Sequence, residues 1–254
     1  MPTIERSGVK LYFEEQGEGP PLLFHTGGGG DGRMWRQAGY TDALPGYRQI
    51  LMDHRGHGRS GCPTTLEAHR MEEYVADVVA VLDAAGAGEA AFVGYSGGAA
   101  VGFRFAAWHP ERCSALVALG QVPEPDDDLR TTAGFAAEVR KRGMRGIIEG
   151  MSASEAEPAP AWLVEHLCTT ETEMFALLVE GWSAGVEAWD LLPLIEAPAL
   201  LICGGHELDP AAVARAAARM PRAKAAVLPG YGHLQAFWHS EVTAPAMREF
   251  LAGL

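Results

Sequence analysis

The chain has 254 residues, of which 48% are hydrophobic and 21% charged, with a formal net charge of −13 at pH 7. That length suits one main core with at most a small appended subdomain, and that composition excludes the low-hydropathy signature of disorder. The acidic balance, with no basic stripe, excludes nucleic acid as a ligand, and without an uninterrupted apolar run of membrane length or a secretory-type start the protein reads as cytoplasmic with no membrane partner.

In chain order, strand-like runs are predicted at 11–15 (LYFEE), 21–25 (PLLFH), 47–53 (YRQILMD), 90–96 (AAFVGYS), 114–120 (SALVALG), 199–204 (ALLICG) and 225–230 (AAVLPG). Several are apolar throughout, as strands buried on both faces of a mostly parallel sheet require. Between the third and fourth runs, Met71, Tyr74, Val75, Val78, Val79 and Leu82 fall on one stripe of a helix that Gly86 can terminate. A second helix is predicted after Ser96, ending near Pro110, and a last one across EVTAPAMREFLAGL. Strands alternating with helices give an α/β class, a doubly wound and mostly parallel sheet. The rhythm stops between 121 and 190, where helical pieces are separated by acidic and Pro-rich stretches and no strand is evident. That length is too great for a bare loop, so a core of 1–120 and 191–254 with a small helical insertion at 121–190 is expected.

Cys62, Cys113, Cys168 and Cys203 are scattered, without a CxxC pair, and read as free thiols. His54 and His57 lie in a Gly-rich segment without the spacing of a metal-binding helix, so a structural role is expected; neither a metal nor a cofactor is implied. His69, His109, His166 and His239 read as surface or packing residues. Trp35, Trp162, Trp182, Trp189 and Trp238 read as core more readily than as pocket lining, and the acidic run from Glu124 to Asp128 as a solvated turn.

The segment Gly94-Tyr95-Ser96-Gly97-Gly98 has the form G-x-S-x-G directly between a buried strand and a helix. A serine on so sharp a turn takes strained backbone angles, and the flanking glycines remove side chains that would clash where strand and helix meet. Attack by Ser96 on a carbonyl needs a base, and His233 follows the last predicted strand, where it can reach back to the turn.

These features resemble the α/β-hydrolase superfamily, in its single-domain esterase, lactonase and haloperoxidase-like branch, and the likeness spans nearly the whole chain. His25-Thr26-Gly27-Gly28-Gly29 is similar to that family's oxyanion loop, with Thr26 where glycine is usual. Asp53-His54-Arg55-Gly56-His57-Gly58-Arg59-Ser60 resembles its D-x-R-G-x-G-x-S turn, and Gly230-Tyr231-Gly232-His233 the turn that delivers the catalytic histidine. The resemblance implies Ser96 as nucleophile, His233 as base, an oxyanion hole from Gly97 and the Gly27–Gly28 loop, support of that loop by His25, and a cap formed by 121–190. It implies a third member, an acid, in Cys203-Gly204-Gly205-His206-Glu207-Leu208-Asp209-Pro210. Counting from Gly204, the family register lands on Glu207; Asp209 is the commoner residue type but needs a longer loop, and Glu124 is a third alternative.

The expected activity is hydrolysis of a carboxylic ester or lactone through an acyl-enzyme, with a small molecule bearing an ester-like carbonyl as partner. Serine at the turn disfavours the aspartate-nucleophile chemistry of dehalogenases and epoxide hydrolases of this fold. Perhydrolysis, C–C bond cleavage or cofactorless oxygenation on the same constellation stays open, as does a non-catalytic small-molecule receptor.

Overall fold

The computed structural model describes residues 2–124, 129–183, 188–206 and 210–254. Eight strands form one sheet: β1 (Thr3–Arg6), β2 (Val9–Gln16), β3 (Pro21–His25), β4 (Arg48–Asp53), β5 (Ala90–Tyr95), β6 (Cys113–Leu119), β7 (Ala199–Gly204) and β8 (Ala223–Leu228). Their spatial order is β1-β2-β4-β3-β5-β6-β7-β8, antiparallel from β1 through β2 to β4 and parallel from there on. The expected doubly wound, mostly parallel α/β sheet is present, with a hairpin added at one edge.

That hairpin turns through Ser7 and Gly8, both at positive φ (50° and 74°), as a two-residue turn matching strand twist requires. Central β5, and β7 beside the edge strand β8, are buried at every position, which demands cover on both faces. The helices that supply it are α1 (Arg33–Gln37), α2 (Tyr40–Ala43), α3 (Met71–Ala84), α4 (Gly97–Trp108), α9 (Pro210–Arg219), α10 (His233–Trp238) and α11 (Ser240–Ala252). Helix α4 packs on β5 and β6, α9 on β7 and β8, and α11 against α2.

The stripe read from sequence is the buried face of α3: Met71, Tyr74, Val75, Val78 and Leu82 are buried, and Val79 is partly so. The helix ends as Gly86 predicts. At φ +64° its N–H donates to the Asp83 carbonyl while Ala87 N–H reaches the Leu82 carbonyl, the two bonds of a Schellman motif. Between β6 and β7 lie four helices, α5 (Leu129–Ser154), broken at Gly143, α6 (Ala161–Leu167), α7 (Thr172–Ser183) and α8 (Ala188–Leu191), and no strand among the described residues.

Candidate active site

Helix α4 begins one residue after β5 ends, and Ser96 makes the join at φ 54°, ψ −125°. A β-carbon on Gly98 would lie 2.8 Å from the Thr26 carbonyl oxygen, and one on Gly94 2.7 Å from the Ala99 nitrogen. Strand, helix and the 25–30 loop therefore meet more closely than any side chain at those two positions would permit. Ser96 N–H is tied to the Leu119 carbonyl at 2.7 Å, fixing the turn to β6.

His233 opens α10 rather than sitting in a loop, and its Nε2 lies 3.0 Å from Ser96 Oγ across 137 residues of sequence. Tyr95 stacks on its ring with centroids 5.0 Å apart and donates through its hydroxyl to the His233 carbonyl at 3.2 Å. Gly120, at φ +75°, leaves the imidazole room, since a β-carbon there would stand 3.2 Å from Nδ1. The next residue along, Leu234, donates its N–H to Glu155 Oε1 at 2.8 Å, so a carboxylate from the segment after α5 holds the start of α10.

Gly27 presses against the elbow: a β-carbon on it would come within 2.7 Å of Ser96 Cβ and 3.0 Å of Gly97 N. The amides of Gly27, Gly28 and Gly97 donate to no backbone carbonyl among the described residues. The loop is pinned from below by imidazoles. His54 Nε2 lies 3.1 Å from the Gly27 carbonyl, and Gly29 N–H donates to His57 Nε2 at 2.9 Å. His25 stacks on His54 at 5.0 Å and its Nδ1 lies 2.7 Å from the Thr26 carbonyl. His54 and His57 thus have structural work to do, and the specific bonds to the glycine loop are what their sequence spacing did not disclose.

Burial holds these rings neutral. It lowers His25 to about 3, helped by neighbouring His54, and lowers His54 to about 4 against the opposing pull of the Gly27 and Arg55 carbonyls. His57 is likewise driven well below its ordinary value by burial and by His54. A neutral His57 that accepts Gly29 N–H at Nε2 carries its proton on Nδ1, which faces the Arg55 carbonyl at 3.2 Å.

The D-x-R-G-x-G-x-S segment is a clamp. Asp53 accepts Gly32 N–H and Arg59 N–H, each at 2.9 Å; Ser60 Oγ accepts Tyr12 N–H at 2.9 Å. Arg55, fully buried, forms a bidentate pair with Asp77 of α3 at 2.6 and 2.7 Å. These bonds fasten the end of β4 to β2, α3 and the 25–32 loop.

The other sequence candidates fall as follows. Glu207 and Asp209 lie outside the described residues, as do 125–128 of the acidic run. Glu124 is paired with Arg215 at 3.2 Å. Trp35 is wholly buried in the core. His69 bonds Tyr74 and Pro63, His166 sits beside Asp31 at 3.2 Å, His109 lies 3.8 Å from Glu111, and His239 bridges Glu157 and Glu241. Trp182 is the tryptophan that reaches the elbow: a β-carbon on Gly97 would overlap its six-membered ring. Phe175 occupies the same position over Gly28, and nothing in its sequence surroundings marked it.

Residues 20–191 match the family described as alpha/beta hydrolase fold. Epoxide hydrolase B of Mycobacterium tuberculosis is 31% identical over 214 residues, which cover 77% of this chain; the chain spans 60% of that relative's length. A thermophilic esterase from Thermogutta terrifontis superposes with a TM-score of 0.84 at 25% identity, over 99% of this chain and 96% of that one. A structure of an N-acyl homoserine lactone degrading enzyme gives 0.78 at 27% identity over 100% of both chains. With its elbow, glycine loop and histidine turn on one edge of such a sheet, this chain belongs to the α/β-hydrolase fold family.

Proposed function

We propose that this chain is a serine hydrolase acting on a carboxylic ester or lactone. The observation that carries the reading is the 3.0 Å approach of His233 Nε2 to the hydroxyl of a serine held in strained geometry at a strand-to-helix turn. In this reading Ser96 O–H donates to Nε2, and the oxygen attacks the carbonyl carbon as its proton passes to the imidazole. The resulting oxyanion is met by the N–H of Gly97, at the positive end of α4, and by an N–H of the Gly27–Gly28 loop. The imidazolium returns its proton to the leaving alkoxide, leaving an acyl group on Ser96. Water attacks that acyl group with His233 again as base, releasing the acid and restoring the hydroxyl.

The third member of the triad is assigned to the 207–209 stretch, Glu207 by register and Asp209 by residue type. Residues 121–190 are read as the cap, its α7 lying over the glycine loop, with 1–120 and 191–254 as the core domain. The esterase and the lactone-degrading enzyme among the structural neighbours support an ester-like substrate. The epoxide hydrolase relative supports the family, while serine at the elbow favours acyl transfer for this chain.

Treatment with a p-nitrophenyl alkylphosphonate followed by mass spectrometry should place one covalent adduct on Ser96. Ser96→Ala should abolish the adduct and lower ester turnover by about 10⁴- to 10⁶-fold. A folded wild-type sample that neither labels nor hydrolyses any ester would refute the reading.

A further inference from the structure

Helix α7 is seated on the core with no slack. A β-carbon on Gly181 would stand 2.6 Å from the Cβ and carbonyl carbon of His69, so the helix backbone lies directly on the Leu66–His69 turn. The neighbouring residue, Trp182, is held edge-on to the buried Tyr74 ring at 5.1 Å and lies 6.4 Å from the His54 ring. From that position the far edge of its indole covers Gly97. Phe175, about two turns earlier on the same face of α7, covers Gly28, while Met144 Cε and Leu167 Cδ2 stand 3.3 and 3.2 Å from where a β-carbon on Gly29 would be. The surface presented to the elbow and the glycine loop by these four residues is apolar.

The sheet order fixes the side from which each group approaches. His54 follows β4 and Tyr74 belongs to α3, whereas Gly120, beside His233, follows β6; in the sheet, β5 with Ser96 at its end lies between β3–β4 on one side and β6 on the other. Trp182 and His233 therefore flank Ser96 from opposite sides. During acyl transfer the leaving oxygen must lie against His233 Nε2, which protonates it, and the carbonyl oxygen against the backbone amides. The remaining substituent, the acyl chain, is then directed away from His233, toward the indole.

Resting on the serine-hydrolase reading, we infer that Trp182 is the floor of the acyl site and sets its length, so that the substrates are esters of short, apolar acyl groups whose larger part is the alcohol. Phe175 closes the same site over Gly28 and contributes the second wall.

The test is kcat/KM across p-nitrophenyl esters from acetate to octanoate, together with the rate at which ethyl and octyl p-nitrophenyl phosphonates label Ser96. Wild type should favour acetate over octanoate by about tenfold or more, and Trp182→Ala should raise the octanoate-to-acetate ratio by about tenfold, with the two phosphonates following the same order. Trp182→Leu, which keeps apolar packing beside Tyr74, should shift the ratio in the same direction and serves if the alanine variant does not fold. Equal use of octanoate and acetate by wild type, or an unchanged ratio in the folded variants, overturns the assignment while Ser96 labelling leaves the hydrolase reading standing. Failure of both phosphonates and every ester overturns both together.

Discussion

Among the described residues Ser96 is one of two non-glycine residues at positive φ, and the other, Ser7, sits in an exposed hairpin turn where such angles are easily met. Its φ of 54° with ψ −125° lies in a region that an L-residue occupies only under constraint, at a cost of about 1–3 kcal/mol. The constraint comes from the Leu119 carbonyl bond and the close contacts at Gly94 and Gly98. Glycine meets those angles freely, although its unfolded chain loses about 0.5–1 kcal/mol more on folding than alanine. Ser96→Gly should therefore be more stable than Ser96→Ala by about 1 kcal/mol in urea unfolding. Equal stabilities would mean that the turn stores no strain. Ser96 was legible in the sequence because its turn imposes glycines at fixed offsets between a strand and a helix. His233 was legible because it follows a Gly-Tyr-Gly turn after the last strand. The residues around them were not. Nothing local marks Phe175 or Glu155, whose placement depends on how α5 and α7 pack across the sheet edge, and the bonds of His54 and His57 to the glycine loop depend on contacts 27 and 28 residues distant.

Helix α3 shows how a single position stops an element. Gly86 has nothing within 4 Å of its missing β-carbon, so the cost of a side chain there is purely one of backbone conformation. Gly86→Ala should lower stability by about 1 kcal/mol, whereas Gly88→Ala, equally open but not at positive φ, should change it little. A loss of similar size at both would show that the αL angle at the helix end is not the cause. The elements that were read correctly are those with long or continuous apolar patterns: 21–25 and 199–204 coincide with β3 and β7, and the other central strands agree within a residue or two. The edges were harder. β8 begins two residues early, at 223–228 instead of 225–230, because as an edge strand it has no fully buried residue and Lys224 masks its start. β1 went unseen since its four residues alternate between exposed and half-buried without one apolar run, and α1, α2 and α10, at four to six residues, are too short to show a helical period.

At the scale of the whole molecule, acid should act first through the buried histidines on and around the glycine loop. His25, His54, His57 and His69 are buried and titrate below their ordinary value of 6.5, chiefly because burial disfavours the charged ring. The unfolded chain binds protons at these four positions near pH 6.5, whereas the folded protein does not until the pH is lower, about 4 for His54 and about 3 for His25. In that interval the unfolded state holds more protons, so stability rises with pH; read downward, it is fully present above 6.5 and is lost as pH falls toward the folded values. Each histidine contributes up to about 1.4 kcal/mol per pH unit. Asp53, raised by burial, opposes this trend from its ordinary value upward. Asp31 and His239 act elsewhere. Burial would raise Asp31, but hydrogen bonds from His166 and Arg33 overcome it and hold the carboxyl below its usual range, so its contribution is lost only as pH falls below about 4. His239 is opposed by burial yet raised by Glu241 and Glu157, so its contribution is present below 6.5 and lost as pH rises above it. Urea unfolding at pH 7, 6 and 5 should thus show stability dropping steeply between 6.5 and 5. His57→Gln, whose amide oxygen can still accept the Gly29 N–H, should reduce the slope by about one proton. A slope unaltered in that variant, with its stability at pH 7 retained, would mean that His57 is not held neutral by the fold.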